Sequence, residues 1–263
     1  MSKVGDTFAK ELIRVGSKLI REILVLLGRL ETNETGIVTT KVNLELALRT
    51  EFLIREKINQ LGYEKAYVGF KGDSLKLLRG LRSDNIKQGL SDELSSDSLL
   101  QLEALERSIL DRDVRFVPDV LSKEISSIIY DGVLGTLSID DLIIRVENKL
   151  KLRFDQASTL AEQYINAALN AITIGQAKEV GINYYLYSGV SDSLTRPFCR
   201  KMIDKIWTLG ELDSLGDDSL RGKQPLPVSL HLGGFNCRHF LEPLNNSQKT
   251  AMIKSGEAER GRL

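Results

Sequence analysis

The side chains best suited to holding a soft metal ion or acting as a thiol nucleophile are Cys199, His231, Cys237 and His239, and the 263-residue chain has no other Cys or His. They lie in the order Cys-x31-His-x5-Cys-x-His. Zinc prefers four tetrahedral nitrogen and sulfur ligands, and a loop-rich unit with a small core gains most from such a clip. The sharp reading is a structural zinc site with Cys199, Cys237 and His239 as ligands and His231 as the fourth, although the Cys-x-x-Cys knuckle of familiar sites is missing. The plain reading is two buried thiols and two hydrogen-bonded imidazoles. A third makes Cys199 or Cys237 a nucleophile, His231 or His239 its base and Asp192 the orienter, as in cysteine hydrolases. No helix N-terminus is evidently aimed at either thiol to activate it.

Two written segments carry these residues: Ser-Gly-Val-Ser-Asp-Ser-Leu-Thr-Arg-Pro-Phe-Cys at 188–199 and Gly-Gly-Phe-Asn-Cys-Arg-His at 233–239. Asp192 can cap a local turn, and the planar forks of Arg196 and Arg238 suit a carboxylate, so a buried bridge from Asp192 to one of them is expected. Gly233 and Gly234 allow backbone angles that larger residues avoid and let the second segment approach the first.

The elements that must position these loops are mainly helical. Phe8, Leu12, Ile13, Leu19, Ile20, Ile23, Leu24 and Leu27 recur at three- and four-residue intervals, the period of one helix face. Residues 32–36 read as a turn, and Asn43 as the cap of a second helix closed by Gly62. The alternation Tyr67, Val68, Phe70 suggests a short strand or loop over 63–73. A polar connection is expected over 83–98, with a helix starting at Asp97 or Ser98. Pro118 opens a helix over 119–130. Ser138 with Asp141 forms a capping-box-like start to a helix over 139–152, and another helix is expected over 154–180. Tyr184 to Tyr187 is β-prone. The expected class is α+β, a mainly α-helical N-terminal body with a small mixed α/β C-terminal module.

Thirty-six basic residues cancel 36 acidic ones, so no bulk field draws the chain to nucleic acid or an anionic membrane. The apolar run at 20–30 is interrupted by Arg21, Glu22 and Arg29 and falls short of a membrane span. Acidic residues ahead of it fit a secretory signal poorly. A reducing cytoplasm is the expected compartment, where free thiols or a metal site are favoured over a disulfide.

From Ala157 onward the chain resembles the head-morphogenesis or minor capsid proteins of tailed phages, the family named after the F protein of phage Mu. The resemblance rests on an Ala/Asn-rich helix, then Asp192-x-x-Thr195-Arg196-Pro197-x-Cys199, then Asn236-Cys237-Arg238-His239 with Pro243 beyond. Gly234 stands where many relatives carry a His just before the Asn-Cys pair. The resemblance implies a helical portal- or capsid-interacting region over 1–135 and a head-morphogenesis domain over 136–250, and the weakly basic stretch beyond, ending in Gly and Arg, reads as a flexible tail over 251–263. It further implies a non-enzymatic minor head protein, assembled in the host cytoplasm and located inside the capsid near the portal. Such a protein acts in head assembly, DNA packaging or retention, or genome ejection. Its partners would be the portal protein, the major capsid or scaffold protein, and packaged DNA without sequence preference, with no membrane. The competing expectation is a Cys/His-dependent hydrolase or toxin-like effector carried in the virion.

Overall fold

The computed structural model describes residues 2–215, 226–234 and 237–261. The fold is α+β, with a mainly helical body and a small mixed sheet in the C-terminal region. Contacts divide the chain into two units, one of residues 3–72 and 111–158, the other of residues 1–2, 73–110 and 159–263. The boundary expected at 135/136 is therefore not where the chain divides. Residues 136–158 belong with the helices before them, because helical apolar faces rather than motif borders set the packing.

In the first unit, α1 (Lys3–Leu27) buries Phe8, Leu12, Leu19, Ile23 and Leu27 of the expected face together with Val15, while Ile13 and Leu24 are exposed at the edge of the stripe. The turn at 32–36 forms a minimal hairpin, β1 (Thr32–Asn33) and β2 (Gly36–Ile37). Helix α2 (Lys41–Gln60) is capped by Thr40, whose side chain accepts from the Asn43 N–H. Asn43, expected as the cap, is instead fully buried: its Oδ1 accepts from the Glu31 N–H at 2.9 Å, and its Nδ2 donates to the Glu31 and Val38 carbonyls at 2.9 and 2.7 Å. A buried amide that satisfies three backbone groups does more for the hairpin than it could at an exposed helix end.

The strand or loop expected at 63–73 is the start of helix α3 (Tyr63–Lys87). Tyr63, Tyr67 and Phe70 are buried at helical spacing while Val68 is exposed, so the alternation was accidental. The Tyr63 hydroxyl donates to the Val114 carbonyl at 2.6 Å, and its ring stacks near Phe154. Helix α5 (Val117–Leu134) carries Pro118 in its first turn, as expected. The two helices expected at 139–152 and 154–180 are one, α6 (Ile139–Glu179). No proline occurs in it and its only glycine is Gly175, so nothing breaks the hydrogen-bond ladder near Leu152. Ser138 starts it as predicted, its Oγ accepting from the Asp141 N–H at 3.1 Å and donating to Asp141 Oδ2 at 2.8 Å.

In the second unit the polar connection is shorter than expected. Helix α3 persists to Lys87, and Ser95 caps α4 (Ser96–Leu105), which continues into a π-helical segment, Glu106–Val114. The later part of α6 buries Ala161, Ala167, Ala168, Ala171 and Ala177, small residues that let neighbouring backbone approach. Beyond it come β3 (Tyr184–Gly189), α7 (Pro197–Met202), β4 (Lys205–Trp207), α8 (Leu209–Ser214), α9 (Val228–His231), β5 (His239–Leu244), α10 (Asn246–Ser255) and β6 (Glu259–Arg260). The sheet order is β5-β3-β4-β6, antiparallel except for the parallel β4–β6 pair. Leu186, Ile206, Leu244 and Ala258 form a core cluster beneath it.

The flexible tail expected over 251–263 is structured as far as it is described. Helix α10 is closed by a capping box at Asn245 and a left-handed Gly256. Glu259 N–H then donates to the Asp204 carbonyl at 3.0 Å and Gly261 N–H to the Ile206 carbonyl at 2.9 Å. Composition hid this, because edge-strand backbone pairing needs no apolar side chain. Among the described residues no helix is long and apolar enough to cross a membrane.

Candidate functional site

Strand β3 is the centre of the site. It pairs with β5 from Tyr184↔Leu244 to Gly189↔His239, which sets His239 beside the end of β3. Period-2 alternation puts Tyr185 and Tyr187 on one side, both fully buried. After β3 the chain turns through a compact loop. Asp192 Oδ1 accepts from the Leu194 N–H at 2.9 Å, while Thr195 Oγ1 accepts from the Asp192 N–H at 2.9 Å and donates to the Val190 carbonyl at 3.0 Å. Pro197 opens α7, where its missing N–H costs nothing, and Cys199 sits two residues later, buried.

The second segment closes on the first. Arg238 donates to both Asp192 oxygens, at 2.7 and 2.6 Å, and Arg196 donates to the Gly233 carbonyl. The expected Asp192–Arg238 bridge therefore forms, but half-exposed rather than buried, with side-chain exposures of 35% and 37%. A bidentate guanidinium can order two loops from the rim, where both charges keep part of their water. Arg238, followed by the Leu194 N–H and the Thr195 hydroxyl, holds the Asp192 carboxyl well below the usual carboxylate range.

The sulfurs of Cys199 and Cys237 stand 3.9 Å apart, and Cys237 Sγ is 3.3 Å from His239 Nδ1. The ligand atoms of these three residues all lie within 4.8 Å of one another, and all three residues are buried. Gly233 makes the approach possible: its N–H donates to Cys237 Sγ at 3.2 Å, and a Cβ there would collide with Cys199 Sγ. Gly234 follows with a left-handed backbone, φ 78°, and its carbonyl accepts from the Cys237 N–H at 3.1 Å. Asn236 lies outside the described residues.

The imidazole of His239 is oriented. Its Nε2 lies 3.1 Å from the Val190 carbonyl, which can only accept, so the proton of the neutral ring sits on Nε2 and the Nδ1 lone pair points to Cys237. Metal-ligating imidazoles are commonly fixed in this way, with the second nitrogen bonded to a carbonyl. Two sulfurs and one nitrogen lone pair thus converge, and the three residues can hold a metal. In the metal-free thiol pair, the hydrogen bond from Cys199 pulls the Cys237 thiol down, and the same contact together with burial pushes Cys199 up.

His231 is not brought into this cluster. It ends α9, its backbone fixed by bonds to the Pro227 carbonyl and from the Gly234 N–H, and its Nδ1 is buried without a hydrogen-bond partner among the described residues. Burial lowers its pKa below the ordinary 6.5 and keeps the ring neutral. Of the hydrolase arrangement, Cys237 and His239 are in contact at 3.3 Å, but Asp192 is not the orienter: it is engaged by Arg238, and His239 Nε2 faces the Val190 carbonyl.

Three further residues hold the site and were not singled out by sequence. The Tyr187 hydroxyl lies 3.4 Å from Cys199 Sγ and 3.9 Å from Cys237 Sγ, and burial pushes its pKa far up, so it remains a phenol. From α6, Asn166 Nδ2 donates to the Cys237 carbonyl at 3.2 Å and Asn170 Nδ2 to the Leu230 carbonyl at 3.0 Å. Their four-residue spacing within an alanine-rich helix was the available signal, because it places two amides on one face. No family model, curated protein or solved structure matches the chain.

Proposed function

We propose that this chain is a structural minor head protein of a tailed phage, located inside the capsid at or near the portal, with a role in head assembly, DNA packaging or retention, or genome ejection. The proposal starts from the sequence resemblance and requires its two distant segments to form one unit. The observation that carries it is their closure on each other, through the paired hydrogen bonds of Asp192 and Arg238 and the 3.9 Å approach of the two sulfurs. The partners are the portal protein and the major capsid or scaffold protein, with packaged DNA as a non-specific neighbour. Digestion of purified mature heads and procapsids followed by mass spectrometry tests this. The chain is expected in at least one of them, and its absence from both overturns the proposal.

The cluster is assigned to structural zinc. Zinc–ligand bonds of about 2.3 Å to sulfur and about 2.05 Å to nitrogen, spread tetrahedrally, separate two sulfurs by about 3.8 Å and a sulfur from a nitrogen by about 3.6 Å. The sulfur pair stands at 3.9 Å and the Cys237–His239 pair at 3.3 Å, close to those values. Zinc supplies a crosslink between the Thr-Arg-Pro loop and the Cys-Arg-His segment, and both thiols lose their protons on binding. Protein purified without added metal is expected to contain one zinc per chain, with a lower melting temperature after chelation. Cys199→Ser with Cys237→Ser is expected to lose both the zinc and the response to chelator.

A further inference from the structure

Cys199 and Cys237 are the only cysteines of the chain, and their sulfurs stand 3.9 Å apart across a separation of 38 residues. That is close to van der Waals contact, so no other atom fits between them. Gly233 runs alongside, where a Cβ would meet both sulfurs. A disulfide sets its sulfurs about 2.05 Å apart, so closure needs a movement of about 2 Å, within the swing of one cysteine side chain about its Cα–Cβ bond. Cys237 Sγ is anchored by the Gly233 N–H at 3.2 Å and lies beside His239 Nδ1 at 3.3 Å. Cys199, on the short helix α7, meets the Tyr187 hydroxyl at 3.4 Å. Both cysteines are buried, yet both line a pocket of about 260 Å³ whose wall includes Leu194, 79% exposed, so a molecule little larger than water reaches the sulfurs from the surface.

Zinc and an S–S bond compete for the same atoms, because zinc binds two thiolates and a disulfide has none. We infer that Cys199 and Cys237 are a modification site, closed by a peroxide to an intramolecular disulfide that replaces the metal as the tie between the Thr-Arg-Pro loop and the Cys-Arg-His segment. The S–S closure stands on the sulfur geometry alone, and only the displacement of the metal rests on the zinc assignment above. The step consumes two thiols and one hydrogen peroxide. One sulfur bonds to a peroxide oxygen, the O–O bond breaks, and the thiol proton leaves with the far oxygen as water. The second sulfur attacks the resulting sulfenic acid, forming the S–S bond and displacing the hydroxyl, which takes the second thiol proton as another water. The two sulfurs together give up two electrons and the peroxide gains them. In the metal-loaded chain both protons come from solvent and zinc leaves as the dication. The loops are thus joined by metal under reducing conditions and by a covalent bond under oxidising ones.

The test uses the full chain, reduced and loaded with zinc, treated with stoichiometric hydrogen peroxide in the presence of a chromophoric zinc chelator. The intact mass should fall by two hydrogens, and digestion without reductant should yield a peptide linking Cys199 to Cys237. Zinc should pass to the chelator in step with that peptide, and a dithiol reductant should reverse the linkage. The oxidised, metal-free chain should melt at a higher temperature than the reduced, metal-free chain. Cys199→Ser should lose the linked peptide and gain oxygen at Cys237 instead, and the peptide map of the parent chain decides the question even where that variant fails to fold. Oxygen added to the sulfurs of the parent without a linked peptide, or a disulfide that joins two chains, overturns the inference. A lower melting temperature after oxidation would overturn the disulfide as a replacement tie. A chain that holds no zinc before treatment and still forms the linked peptide would remove the zinc assignment and leave the thiol pair supported.

Discussion

The helical unit of residues 3–72 and 111–158 and the loops around Cys199 and Cys237 are stabilised by different kinds of interaction. In the first, Leu12, Leu19, Ile58, Ile125, Ile129, Leu142 and Val146 are at most 1% exposed, and burial of apolar surface has no preferred direction. Many apolar sequences of the right period and volume would satisfy it. In the second, Asp192, Thr195, Arg196, Gly233, Cys237 and His239 each meet a particular atom, and a substitute of similar polarity has no equivalent partner. The body tolerates changes in composition, whereas the loops depend on individual groups.

The sharpest way to break this contrast is to damage both regions and compare. Leu12→Ala, which opens a cavity under α1, should cost about 3 kcal/mol in a denaturant titration and leave the metal content unchanged. Gly233→Ala should cost about 2 kcal/mol, because the new methyl meets Cys199 Sγ, and metal analysis should show the zinc lost as well. Equal metal content in the two variants would mean that the sulfurs can separate and still bind, against the reading of the loops as a fit of individual atoms.

A smaller effect is expected at the amides of α6. Asn170→Ala leaves the Leu230 carbonyl without its donor and should cost about 1–2 kcal/mol, with faster hydrogen exchange in 228–234. The smallest effect is electrostatic. The folded pKa of Asp192 lies below the ordinary 3.8, so its contribution is complete above that value and is lost as pH falls through the folded pKa. Glu124, paired with Arg153 across α5 and α6, is shifted in the same direction for the same reason. Acid titration of stability should therefore steepen below pH 3.8 in the parent. Asp192→Asn should flatten that limb, and an unaltered limb would show that the rim pair contributes nothing.

The same contrast explains what the sequence revealed. Helices α1, α2 and α5 and both ends of α6 were legible because apolar spacing is set locally, and the α+β class followed from it. The chain from 63 to 73 misled because Tyr67, Val68 and Phe70 alternate over too few residues to separate a period of 2 from one of 3.6. The division at 152–154 misled because a change of texture is not a helix breaker. At the site, the convergence of Cys199, Cys237 and His239 was legible from the two segments, and the Asp192–Arg238 bond was one of two foreseen pairings. The displacement of His231 was not, since it depends on how the short helix α9 turns into Gly233. Nor was the involvement of Tyr187, Asn166 and Asn170, which reach the sulfur loops only through tertiary approach.

Cys237 and His239 are separated by a single residue, and burial alternates across them: Cys237 inward, Arg238 outward to Asp192, His239 inward. The intervening side chain thus performs the rim contact while its neighbours face the sulfur cluster. Chain length at this point is consequently as constrained as residue identity. Insertion or deletion of one residue between 237 and 239 would point an imidazole at solvent and an arginine at two sulfurs, an error that no change of side chain nearby could repair.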